Sequence, residues 1–150
     1  MLNDVINEEG DRLLLDVLQS QRDKDLVASG RTGRSLRKEA TFRRHGASLR
    51  LIGSKVFRYL QDGRGPNKSR RPGRKMITDL TEWVKLKGIP VKAVWPIAIN
   101  IAKNGTQVPN PNNPGGVLSD PLSRSNLQQS LLPKVAAAVR YDVVQQLLGK

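Results

Sequence analysis

Residues 30–75 read GRTGRSLRKEATFRRHGASLRLIGSKVFRYLQDGRGPNKSRRPGRK. This stretch, which we call the basic segment, holds 15 of the chain's 26 lysine and arginine residues but only two of its 13 acidic residues. Its net charge therefore equals the +13 of the whole 150-residue chain, and the remaining residues are neutral when taken together. A local charge excess of this size predicts a surface that binds a polyanion or an acidic protein face.

Within the basic segment, alternating apolar and polar residues predict two short antiparallel strands, 36–42 and 48–52, joined by a turn over 44–47. A third strand is predicted over 55–60. Residues 61–75 are rich in Gly, Pro, Arg and Lys and offer nothing to fill a core, so we expect an exposed, mobile loop there.

The flanking sequence predicts helices. Apolar residues recur at helical spacing over 4–27, with Gly10 as a weak point, and over 74–87 and 94–103. The Asn- and Pro-rich residues 106–119 predict a second mobile loop, longer than packing requires. Asp120 and Pro121 predict the start of a C-terminal helix that reaches about residue 148 and that Pro133 kinks or restarts. Within it, one narrow apolar stripe is suited to packing on the sheet or on a neighbouring subunit: Val135, Val139, Val143 and Leu147.

These elements predict a single α+β domain over residues 1–150. It has a long N-terminal helix, a small antiparallel sheet of three or four strands, two short helices and a C-terminal helix. Trp83 and Trp95 are expected to anchor its core. Because the apolar content is modest, we expect part of the stability to come from contacts between subunits.

Several classes of function are disfavoured by composition. The chain has no cysteine and one histidine, His45, so a Cys/His zinc site and a disulfide framework are excluded. Residues 63–69 resemble a phosphate-binding loop but lack its spacing, and Pro66 removes an amide donor. The first residues lack the pattern of a signal peptide, and the longest apolar run, 93–102, is too short to cross a membrane. We therefore expect no enzymatic activity, no cofactor and no membrane partner.

The loop at 61–75 has two interpretations. Its cations could contact nucleic-acid phosphates without regard to sequence, or they could lie in solvent or against an acidic protein. The candidate contact residues are Arg64, Lys68, Arg70, Arg71, Arg74 and Lys75.

Four segments, 30–36, 59–66, 77–88 and 95–106, resemble in order and spacing the neck and tail-completion proteins of tailed phages, a family that includes the minor tail protein Z type. The chain departs from that pattern in having Asp62 where Glu is common, and in its unusually basic loop. The residues that carry the resemblance as subunit or fold motifs are Gly30, Gly33, Ser35, Tyr59, Asp62, Gly63 and Gly65.

The resemblance implies a small α+β subunit without enzymatic activity. Such proteins form rings of six or twelve copies that join the portal or connector to the tail, so the chain would belong to the virion and be assembled in the host cytoplasm. Its partners would be further copies of itself and portal, connector or tail proteins. The basic loop would face an acidic protein neighbour in preference to DNA in the channel. The alternative function is a stand-alone basic nucleic-acid-binding protein.

Overall fold

A computed structural model describes residues 1–43 and 46–149 and confirms the α+β class. The helices are α1 (Leu2–Asp23), α2 (Arg31–Arg34), α3 (Val56–Asp62), α4 (Arg74–Leu86), α5 (Val94–Asn104) and α6 (Arg124–Leu147), with a 3₁₀ turn at Val91–Ala93 before α5. The strands are β1 (Arg37–Arg43) and β2 (Gly46–Ile52). None of the helices in this described part is both long and apolar enough to span a bilayer.

Helix α1 packs against the hairpin and against α6. Its buried face carries Ile6, Leu13 and Val17 at helical spacing. Gly10 does not interrupt α1, and it lies where the hairpin packs across the helix. A methyl group at that position would come within 2.9 Å of side-chain atoms of both Lys38 and Leu49. The glycine therefore allows the close approach of α1 and the hairpin.

Strands β1 and β2 form an antiparallel hairpin in which Arg37 pairs with Ile52 and Arg43 with Gly46. Alternate residues on one face are partly covered, as the alternation of Leu49 and Leu51 predicted. The predicted turn begins at Arg44 and His45, which lie outside the described residues, as does any role for His45.

The predicted third strand is wrong, and so is the sheet of three or four strands, since the described residues form two. Residues Val56–Asp62 fold as α3. In a strand, Phe57 and Tyr59 would share one face, but here Phe57 is 4% exposed and Tyr59 is 46% exposed. Phe57 folds back over the end of the hairpin, where its ring lies near Gly53. Burial of this one aromatic ring favours the helix.

Helices α4 and α5 pack together with the intervening 3₁₀ turn, and we call these three elements the α4–α5 unit. Its buried residues are small: Val84, Val94, Ala98 and Ala102. Small side chains let the two helix axes approach closely and leave no room for an indole ring. The expectation that the tryptophans anchor the core is therefore wrong, since Trp83 is 37% and Trp95 is 59% exposed.

Helix α6 begins at Arg124, later than predicted. Its N-cap is Ser123, whose hydroxyl accepts a hydrogen bond from the Asn126 amide at 3.3 Å, so Asp120 and Pro121 lie before the helix. The helix runs through Pro133 without a restart. Pro133 lies on the exposed surface, where water can satisfy the carbonyl that the missing N–H leaves free.

Hydrogen bonds and ion pairs connect α6 to α1. The Glu9 carboxylate is 2% exposed and accepts hydrogen bonds from Lys134 of α6 and from Arg12, the latter at 2.8 Å. Arg12 also donates to Ser130 at 2.7 Å, and the Leu2 amide donates to Asp142 at 3.1 Å. Burial acts to raise the pKa of Glu9, but the hydrogen bonds and charges of Lys134 and Arg12 outweigh it, so the pKa lies below its ordinary value.

Candidate functional site

The loop predicted over residues 61–75, which we call the basic loop, is hydrogen-bonded at its start to the loop that begins at Thr106, after α5. The backbones of Arg64 and Thr106 exchange two hydrogen bonds, of 2.9 and 2.7 Å. The Asn67 amide donates to the Ala102 carbonyl at 2.9 Å. The predicted loop is also shorter than 61–75, because its first two residues belong to α3 and its last two to α4. Mobility of the remaining residues stays a prediction.

We call the paired backbones of Arg64 and Thr106 the crossing of the two loops. Two glycines make it geometrically feasible. Gly63 has φ +78 and ψ −171, and Gly105 has φ +75 and ψ −162, a region that only glycine adopts readily. A methyl group on Gly63 would lie 2.0 Å from the Thr106 carbonyl oxygen, and one on Gly105 would lie 2.2 Å from that of Arg64. Gly63 is thus a structural part of the site, whereas Gly65 has open space around it.

The second predicted loop, 106–119, is held to α3 by side-chain amides. Gln61 accepts hydrogen bonds from the backbone amides of Leu118 and Ser119 at 2.8 and 3.2 Å. Asn113, itself buried, donates to the Leu60 carbonyl at 2.9 Å. Val117, a residue of this loop, is fully buried. Sequence reasoning missed Gln61 and Asn113, and only the density of Asn and Pro in the loop signalled a folded turn.

Arg64 is built into the loop and is only partly exposed. Its guanidinium donates to the Asn67 side chain at 2.5 Å and lies 6.0 Å from the centre of the Tyr59 ring, within cation–π range. Asn67 in turn donates to the Arg71 carbonyl at 2.7 Å. These contacts orient the start of the loop, so Arg64 has a structural role in it.

The other predicted contact residues divide into two groups. Lys75 is paired with Asp79 at 3.0 Å, one helical turn further along α4. Four cations are exposed and form no salt bridge with any other residue of the described part of the chain. We call them the free cations: Lys68, Arg70, Arg71 and Arg74. They concentrate four positive charges within seven residues.

Two other cations of the basic segment stabilise the fold through ion pairs. Arg31 binds Glu82 of α4 at 2.7 Å, and Lys38 binds Asp11 of α1 at 2.6 Å. Arg31 and Lys38 are thus engaged within the fold, and among the described residues of the segment the unpaired charge is most concentrated at the free cations.

The motif residues at 30–35 lie at the junction of α1 and the hairpin. Gly30 precedes α2 with φ +73, and Gly33 lies against Leu18 and Gln21 of α1. Ser35 donates to the Thr32 carbonyl at 2.6 Å and accepts from the Ser54 amide at 2.9 Å. These three residues thus stabilise local structure. Asp62, the last residue of α3, is exposed beside the crossing of the loops.

The crossing also borders two broad surface depressions, of about 450 and 510 Å³. Asn100, Asn104 and Gln107 contribute side-chain amides to the lining of the first, beside apolar Ile101 and Pro111. Within residues 1–43 and 46–149, no group of three acidic or histidine side chains could hold a metal ion.

The folded chain exposes an unusually large surface. Its solvent-accessible area is 10,583 Å². A compact monomer of 16.6 kDa would expose about 7,600 Å², so the excess is about 3,000 Å². Large apolar side chains form part of this surface, mainly on α6 and the α4–α5 unit.

Comparisons with protein-family models, curated proteins and solved structures found no match for this chain.

Proposed function

We propose that the chain is a structural virion subunit that forms a ring in the neck or at the tail end of a phage and joins the head to the tail. The observation that carries this proposal is the excess of accessible surface together with its apolar character. A stand-alone monomer gains nothing from exposing apolar side chains, whereas a subunit buries them when the assembly closes.

The arrangement of the loops supports the same proposal. Two loops distant in sequence are joined at the Arg64–Thr106 pairing, which brings both within reach of one partner surface. Both glycines at this crossing lie in segments that resemble the neck and tail-completion family. The free cations would then face an acidic surface of the next ring.

The proposal is tested by measuring mass and shape together. Purified chain is examined by light scattering and negative-stain imaging, alone and with purified portal, connector and tail proteins of tailed phages. A ring of six or twelve copies would have a mass of about 100 or 200 kDa, from 16.6 kDa per subunit. A chain that stays monomeric and binds none of the portal, connector and tail proteins would refute the proposal.

A second candidate function, stand-alone nucleic-acid binding, is favoured by one observation: the four free cations have no acidic partner within the described residues. Phosphate contacts by all four would give a slope of log K against log salt of about −3.6 on duplex DNA.

Changing all four to Gln tests this second function. The matched control changes four exposed cations elsewhere in the basic segment, Arg43, Arg50, Lys55 and Arg58, and lowers the net charge equally. Nucleic-acid binding at the free cations predicts loss of binding and of salt dependence in the first variant alone. Equal weakening in both would indicate attraction by net charge only.

A further inference from the structure

Helix α6 carries an apolar stripe on the side that faces away from α1. At 100° per residue, its members fall within an arc of about 80° on the helix circumference. On the opposite side lie Ala138, which is fully buried, and Lys134, which binds Glu9 of α1. We call this set the α6 stripe: Leu132, Ala136, Val139, Val143 and Leu147.

The α6 stripe is exposed along about 22 Å of helix, taking 1.5 Å per residue. Leu132 is 53%, Val143 is 48% and Leu147 is 82% exposed. A helix that only covers α1 would carry polar residues on its outer face. Here the outer face is as apolar as an inner one, and its spacings of four and three residues suit packing against another helix.

A second apolar surface lies on the α4–α5 unit. Trp95 and Ile99, one helical turn apart on α5, are 59% and 40% exposed. Leu86 at the end of α4 and Val91 in the 3₁₀ turn are each 51% exposed. Exposed tryptophan is typical of the centre of an interface. In the α6 stripe, Ala136 is the smallest side chain and is flanked one turn away by Leu132 and Val139.

We propose that the α6 stripe of one copy packs against the α4–α5 unit of the next copy, around Trp95 and Ile99. This inference rests on the proposed ring function and specifies which surfaces meet. A closed ring needs two different surfaces on every subunit, because its interfaces join head to tail.

The exposed area agrees with this arrangement. A standard interface buries about 800 Å² on each partner, so a ring subunit with two faces buries about 1,600 Å². The excess surface of about 3,000 Å² accommodates two such faces. A symmetric dimer through α6 alone would bury one face and leave Trp95 and Ile99 in water.

The absence of cysteine makes the test direct, because any introduced thiol is unique. Val143→Cys and Ile99→Cys are purified separately, then oxidised alone and as an equal mixture. The expected result is a disulfide-linked dimer in the mixture, monomers from each variant alone, and a ladder of multimers from the double variant. A dimer from Val143→Cys alone, or no cross-link from the mixture, would overturn the inference.

Association provides a second measurement with a matched control. Val143→Lys should weaken self-association at least tenfold, because it places a charge in the contact. Leu15→Lys makes the same kind of change at an exposed leucine of α1, 63% exposed, and should leave association unchanged. Circular dichroism verifies that both variants fold.

Equal effects of the two lysine variants, or a wild-type chain that remains monomeric at the highest soluble concentration, would overturn the inferred contact. The proposed function fails separately. Monomers that each bind a portal or connector ring would preserve it without this contact. Chains cross-linked as expected that bind no virion protein would refute the neck function and leave the contact intact.

Discussion

Replacement of Gly63 by Ala should destabilise the chain strongly, although it adds a single methyl group at a surface loop. The added carbon would lie 2.0 Å from the Thr106 carbonyl oxygen, far inside contact distance. That oxygen belongs to backbone, so it cannot rotate away as a side chain would. The two loops must therefore separate, or the Gly63 backbone must adopt another conformation.

The magnitude follows from two contributions. Holding a residue other than glycine at φ +78 and ψ −171 costs about 1–3 kcal/mol. Separating the loops breaks the two Arg64–Thr106 hydrogen bonds, each worth about 1 kcal/mol. We expect a loss of about 3–5 kcal/mol in the free energy of unfolding, against the 5–15 kcal/mol typical of a domain. For a chain of this size, the melting temperature should fall by roughly 6–20 °C.

Urea unfolding followed by circular dichroism and by tryptophan fluorescence measures this loss. Trp83 and Trp95 report on the α4–α5 unit, which is followed directly by the crossing at Thr106. Gly65→Ala is the matched control, since it lies two residues away, has ordinary φ and has no atom near the added methyl group. It should change stability by less than 1 kcal/mol.

A Gly63→Ala chain within 1 kcal/mol of wild type would refute the reasoning, because the described crossing could not then exist. Equal losses in Gly63→Ala and Gly65→Ala would do so as well, since they would point to a general effect of removing glycine from this loop.

Three further changes test other parts of the structure. Glu9→Gln should lower stability by about 2–3 kcal/mol at pH 7, whereas exposed Glu8→Gln should change it by less than 0.5 kcal/mol. The folded pKa of Glu9 is below its ordinary 4.5, so its contribution is present above pH 4.5 and is lost as pH falls through the folded pKa. In urea unfolding between pH 7 and 3, the stability difference between Glu9→Gln and wild type should therefore shrink as pH falls. Ser123→Ala removes the cap of α6 and should cost about 1 kcal/mol, with exposed Ser48→Ala as the control in thermal melts. Gln61→Ala removes the acceptor for the Leu118 and Ser119 amides, so hydrogen exchange at those two amides should accelerate while exchange within α1 stays unchanged.

Periodic elements were predictable from sequence. Helices α1, α4 and α5 and the hairpin lie within a few residues of their expected positions, because each has a repeating apolar pattern of its own. Segment 55–60 was not predictable, since six residues with one decisive aromatic fit a strand or a helix equally well. Burial of Phe57 over the end of the hairpin selects the helix, and that contact is tertiary.

For the candidate site, only the amino-acid composition of the basic loop was informative in the sequence. The position of the basic loop and its charge were evident in the sequence. The division between free and paired cations was not, because the acids that bind Arg31 and Lys38 are 51 and 27 residues away in the chain. The crossing of the two loops was equally invisible, since Gly63 and Gly105 each resemble an ordinary turn glycine.

The α+β class, the main helices, the hairpin and the concentration of positive charge in residues 30–75 can all be read from the amino-acid sequence. Those properties depend on residues near one another in the chain, so local sequence patterns are enough to predict them. Only the packing of distant segments shows which cations of residues 64–75 are unpaired, which loops are joined and which apolar faces stay exposed. Each of these depends on how distant segments meet, and the free energy of such contacts belongs to pairs of segments and to neither one alone.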